Sequence, residues 1–243
     1  MVKQISFHPI FLLCTMIAFT TGFIKPYLLL FYLFSIHECG HILTALYYHW
    51  KIKKIIILPF GGLTIFEEAL NRPMKEEFMI TIMGPIFQTI AYLLLAPIVD
   101  KPYFLTLHLS FLCFNLLPIY PLDGSKIVLL CLEKYLPFYQ SYQSILWISC
   151  FFSILLFLLL PQNFVFWCML FFLLKKIWDE YRKLPFTFYK FLLERHLNHL
   201  HFSKYIKIKK LNLKKMKRER SHIFLFQNNW VSESLILKKW FDK

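Results

Sequence analysis

The chain has 243 residues, 58% of them hydrophobic and 19% aromatic, with a formal charge of +14 at pH 7. With a positive mean hydropathy, this composition excludes an ordinary soluble domain and reads as a polytopic membrane protein, because several apolar runs reach the ~20 residues needed to cross a bilayer. The positive charge is therefore first a statement about topology, and the six cysteines, all in apolar runs without a C-x-x-C pair, read as free thiols.

The first apolar run, about 7–23, follows Lys3 but shows no small-x-small cleavage site, so it is expected to be a retained helix and not a removed signal. The second, about 26–49, contains Ile36-His37-Glu38-Cys39-Gly40-His41. Histidines four residues apart, with a glutamate after the first, form the zinc-protease pattern H-E-x-x-H. The pattern is short, and its flanks give it force: Tyr27 to Phe34 before it and Ile42 to Tyr47 after it are almost wholly apolar. Ionisable groups in a membrane-length helix are costly unless something binds them. On a helix His37 and His41 stand about 40° apart and Glu38 is turned about 100° from His37. Both imidazoles can therefore reach one metal while the carboxylate reaches a water beside it. Cys39 points to the far side and is not counted as a ligand.

Residues 51–68 read as two short strands, from the Ile55-Ile56-Ile57 cluster, the Pro59 break and the Gly61-Gly62 turn. A third span is expected over about 78–98, with Gly84-Pro85 as an internal break. A fourth begins near Phe104 and is interrupted at Pro118 and Pro121. Spans five and six cover about 144–160 and 163–178, joined by a Pro161-Gln162 turn. The expected architecture is an all-α membrane protein of about six transmembrane helices, with a β-hairpin between spans two and three. Residues 1–181 form the membrane domain and 182–243 a small basic cytoplasmic tail. A cytoplasmic N-terminus leaves Lys25, Lys101 and the 161–162 turn outside. It places Lys51, Lys53, Lys54, Arg72, Lys75, Lys126, Lys134 and the tail inside, as the positive-inside rule requires. Both termini are then cytoplasmic.

A catalytic zinc takes three protein ligands and keeps a fourth position open. Asp123 is the candidate third ligand, at the cytoplasmic end of span four and at the depth of the histidines. Its alternative is a helix cap after Pro121. His8, His49 and His108 are expected to pack or hydrogen-bond, and Glu67, Glu68, Glu76 and Glu77 to form a solvated face. From Lys204 to Arg220, nine Lys/Arg stand against Glu219 alone. Such a run attracts anionic lipid at about 1 kcal/mol per charge; with few aromatics interleaved, nucleic acid is not expected.

His37-Glu38-Cys39-Gly40-His41, paired with Asn115, Pro118 and Pro121-Leu122-Asp123-Gly124, resembles the site-2 protease family of intramembrane zinc metalloproteases. Leu58-Pro59-Phe60-Gly61-Gly62, Asn71-Arg72-Pro73-Met74-Lys75-Glu76-Glu77-Phe78 and Gly84-Pro85 resemble its bacterial sporulation branch, the stage IV FB proteases, which process a sigma-factor precursor. The likeness covers about residues 5–200. It implies His37, His41 and Asp123 as ligands of one zinc per chain and Glu38 as the catalytic acid/base. It also implies that Asn115 places substrate near the metal, the alternative for Asn115 being an interhelical hydrogen bond. The partners implied are a membrane-associated protein substrate, a pro-sigma factor, and inhibitory membrane proteins, in the membrane around the forespore. That branch carries a nucleotide-sensing cystathionine-β-synthase-type domain after its last span. Here about 40 residues follow the Lys204 region, too few for the whole module. They read as a strand over 222–226, a turn and a helix over 232–241: a shortened remnant or docking piece. Two rival readings are a catalytically silent scaffold of the same fold and a metal transporter. The intact Glu38 argues against the first, and ligands gathered at one depth argue against the second.

Overall fold

The computed structural model describes residues 5–7, 9–58, 61–66, 70–99, 101–159, 164–198, 200, 202–227 and 229–242. His8, Pro59, Phe60, Glu67, Glu68 and the Pro161-Gln162 turn lie outside the described residues. The chain forms two compact units, one of residues 1–68 with 75–116, the other of 69–74 with 117–243.

The first unit holds β1 (Ile5–Phe7), α1 (Pro9–Thr20), α2 (Ile24–Tyr47), β2 (Ile52–Leu58), β3 (Gly61–Phe66), α3 (Met74–Leu95) and α4 (Lys101–Asn115). The isoleucine run and the paired glycines make the expected antiparallel hairpin, with Ile55 opposite Thr64 and Leu58 opposite Gly61. β1 joins it from the other side in parallel, Ile5 opposite Ile55, so β2 is central and β3 keeps an outer edge. β1 is absent from the sequence reading, which had this region entering the first helix. α2 packs on β3, and Leu33 and Phe34 of α2 meet Phe104 and Phe111 of α4 in a buried core.

α2 and α3 meet where there is no side chain to hold them apart. A Cβ at Gly40 would lie 2.4 Å from the Met83 carbonyl oxygen and 3.0 Å from Phe87 Cβ. The expected break at Gly84-Pro85 is not found, because α3 runs unbroken through Pro85. Proline removes one N–H, a loss that membrane helices tolerate, and Gly84 has another task, described below. Nor is Glu76 merely solvated, since Trp50 Nε1 donates to its carboxylate at 2.8 Å and ties the end of α2 to the start of α3.

The second unit holds α5 (Asp123–Tyr135), α6 (Phe138–Leu159), α7 (Phe164–Leu197), β4 (Tyr205–Ile208), a 3₁₀ turn (Leu213–Lys215), β5 (Ser221–Phe226), β6 (Asn229–Ser232) and α8 (Glu233–Phe241). β4 runs parallel to β5 and β6 antiparallel to it, a second three-stranded sheet where the sequence reading had a single strand over 222–226. α7 does not stop where its apolar stretch ends. Lys175, Lys176, Glu180, Arg182 and Lys183 are good helix formers and carry it on to Leu197, so a boundary at 181/182 falls inside a helix. The C-terminal end of α7 enters a buried core with Phe138, Met216, Phe224 and Leu237. Phe138 stacks on Phe191 with centroids 4.2 Å apart.

Part of the basic tail therefore faces inward. Arg195 and Arg218 are buried, the first donating to Glu233 at 2.7 Å and the second to Glu133 at 2.9 Å. Among the described residues α2, α3 and α6 are long and apolar enough to cross a membrane. α2, at 24 residues, spans about 36 Å.

Candidate metal centre

α2 brings His37 and His41 one above the other on the face turned towards α3, and both are buried. Their Nε2 atoms stand 3.0 Å apart. His41 Nδ1 lies 2.7 Å from the Ile80 carbonyl oxygen. A carbonyl only accepts, so the proton of His41 sits on Nδ1 and its Nε2 presents a lone pair towards His37. Lone pairs at that distance repel unless a proton or a cation lies with them. This is the arrangement a metal would relieve, with each ring's other nitrogen anchored as metal-bound histidines require.

Gly84 makes the arrangement possible. A Cβ there would sit 2.3 Å from His41 Nε2 and 2.9 Å from His37 Nε2. The helix surface beneath the imidazoles must therefore be bare. One turn on, on the same face of α3, Gln88 is fully buried with its Oε1 3.0 Å from His37 Nδ1. Sequence reasoning missed Gln88; the available signal was an amide in an otherwise apolar membrane-length helix. His108, expected to pack or hydrogen-bond, does both: it is buried with Nδ1 3.2 Å from Gln88 Nε2 and stacks on Tyr92 with ring centroids 4.5 Å apart.

Asp123 opens α5 as its first residue and is buried. It is not the cap, because Leu122 occupies that position with no side-chain cap bond. Lys126 Nζ stands 3.7 Å from the Asp123 carboxylate. The irregular segment before it is fastened to α6 and α7: Tyr120 N–H donates to Ser149 Oγ at 2.9 Å and Tyr120 OH to Glu180 at 3.1 Å. Imidazole and carboxylate are donor types suited to zinc, and His37, His41 and Asp123 are each buried.

Glu38 is half-buried beside His37 on α2, and Cys39 is exposed. Asn115 ends α4 with Nδ2 donating to the Phe111 carbonyl at 3.1 Å, a bond within its own helix.

The family model described as peptidase family M50 matches residues 26–105. Stage IV sporulation protein FB of Bacillus subtilis is 36% identical over 208 residues, which are 81% of this chain and 72% of that protein. A zinc metalloprotease of Methanocaldococcus jannaschii is 35% identical over 120 residues, 44% of this chain and 34% of that protein. Among solved structures, the site-2 protease from Methanocaldococcus jannaschii superposes with a TM-score of 0.57 at 26% identity, covering 74% of this chain and 92% of that one.

Proposed function

The chain belongs to peptidase family M50, and from that premise we propose that it is an intramembrane zinc endopeptidase cutting a membrane-associated protein near the cytoplasmic face. Its substrate is a sporulation pro-sigma factor, a reading supported by the similarity to a stage IV sporulation protein. The observation that carries the proposal is the buried His37–His41 pair, with facing Nε2 atoms and an Nδ1 anchored on α3, inside a membrane-length helix. His37, His41 and Asp123 hold one zinc per chain. When bound in such a set, zinc polarises a scissile carbonyl and makes a neighbouring water more acidic.

The chain's own residues supply the rest. Glu38, turned a quarter of the wheel from His37, takes a proton from the attacking water on its carboxylate and returns it to the leaving amine nitrogen. A helical substrate hides its peptide bonds, so it must unwind before it is cut. The outer edge of β3, a strand on which α2 packs, offers an unwound segment a place to add as a further strand. Asn115 helps place that segment beside the metal.

Around this centre we read six spans, α1, α4 and α7 joining the three long apolar helices, with both termini cytoplasmic. The protein sits in the membrane around the forespore, under inhibitory membrane partners, with anionic lipid along the outward part of the tail.

The experiment is Glu38→Gln in a strain co-expressing the membrane precursor. Cleavage is expected to stop while zinc stays near one per chain. Persistent cleavage would take the acid/base role from Glu38, and a wild-type chain without zinc would remove the enzyme reading altogether.

A further inference from the structure

We propose that Gln88 is a positioning residue that decides which nitrogen of His37 meets the metal, and that His108 fixes Gln88 in turn. The inference rests on His37 being a metal ligand, as proposed above.

The side-chain amide of Gln88 has two distinguishable ends. Its Nε2 lies 3.1 Å from the backbone carbonyl oxygen of His108 and 3.2 Å from His108 Nδ1. Its Oε1 lies 3.0 Å from His37 Nδ1. Turning the amide over would set Oε1 against the His108 carbonyl oxygen, two acceptors with no hydrogen between them. In a buried site no water is at hand to replace the lost hydrogen bond. The amide is therefore locked with both N–H groups on His108 and its oxygen on His37.

An oxygen there can only accept, so His37 carries its proton on Nδ1 and presents Nε2. The same logic gives His108 an acceptor Nδ1 and places its proton on Nε2, in a ring held flat against Tyr92 with an interplanar angle of 13°. His41 reaches the matching tautomer through the Ile80 carbonyl. Both Nε2 atoms thus face the same point. One is set by backbone and the other by a side chain, and only the second can be removed by mutation.

Without Gln88 the histidine pair has another way to satisfy itself. His37 can move its proton to Nε2 and donate across 3.0 Å to His41 Nε2. That closed pair competes with any metal, because a proton occupies the place of the ion. Outer partners of this kind affect metal affinity by about 10–100-fold.

The test uses the full-length chain in detergent, with zinc affinity measured by chelator competition and Co(II) absorption reporting the ligand field. Gln88→Met keeps the length and loses the hydrogen bonds. It is expected to weaken zinc by about 10–100-fold and to shift the Co(II) bands. Independently of any variant, the imidazole ¹⁵N spectrum of the metal-free wild type is expected to show His37 protonated on Nδ1. A proton on Nε2, or a Gln88→Met chain with wild-type affinity and bands, overturns the inference and leaves zinc binding intact. A wild-type chain that binds neither metal overturns the metal reading itself.

Discussion

A single methyl group is enough to probe how closely the histidine pair is boxed in. Gly84→Ala adds a Cβ that would meet His41 Nε2 at 2.3 Å and His41 Cε1 at 2.4 Å. Alanine is the better helix former by about 1 kcal/mol, so weakening of α3 cannot explain a defect. The rings must move, and the expected outcome is a folded chain with zinc reduced well below one per chain, read by metal analysis beside thermal unfolding. Full zinc in that variant would show the site to be less rigid than its packing implies. The histidines were legible in the sequence because their spacing is a local pattern with one geometric meaning. Gln88 and Gly84 were not, since what they do depends on a second helix arriving at one height, which no local spacing records. Gly84-Pro85 invited the wrong inference for the same reason: two helix breakers, read alone, suggest a broken helix.

Elements follow the same division between local and distant causes. The β2–β3 hairpin could be read because β-branched residues and a Gly-Gly turn lie next to each other. β1 could not, because it is three residues long and its partner Ile55 is fifty positions along the chain from Ile5. α7 was cut short at Asp179, where the chain turns polar and basic, although charge alone does not end a helix, and its far end has a core to enter around Phe191. At this scale the α2–α3 contact makes a clear prediction. Gly40→Val places branched carbon where Met83 O stands 2.4 Å from a Cβ, forcing the helices apart. Overpacking of that kind costs about 1–3 kcal/mol, and the thermal midpoint in detergent should fall. Cys39→Val, on the exposed side of the same helix, should leave it unchanged. A Gly40→Val chain as stable as Cys39→Val would show that the two helices are not in close contact there.

The composition of the whole molecule announced a membrane protein with a basic tail, but not that the tail folds around buried charge. Arg195 donates to Asn71 at 2.9 Å and to Glu233 at 2.7 Å, while Glu233 accepts from His222 Nδ1 at 2.8 Å. His222 Nε2 accepts the Lys217 backbone N–H at 2.9 Å, which fixes the ring as the neutral tautomer. Burial is the main cause pushing the His222 imidazole below its ordinary 6.5, and Glu233 opposes this without cancelling it. Burial also pushes the Glu233 carboxyl upward, but the His222 bond and the Arg195 guanidinium outweigh it and hold the group below 4.5. Both groups therefore bind protons more readily in the unfolded chain. Stability is complete above the ordinary histidine value and falls as the pH drops, first through His222 and then through Glu233. Taking the detergent-solubilised protein from pH about 7.5 to about 5 should lower amide protection, meaning the slowing of exchange relative to an unstructured chain at the same pH, across β5 and the start of α8. Most of that change in protection should vanish in His222→Gln, which does not titrate. Protonating Nε2 would set it against the Lys217 N–H, so the ring has no way to gain charge without giving up that bond. Protection that is equal at both pH values in the wild type would mean that the network does not hold the tail closed.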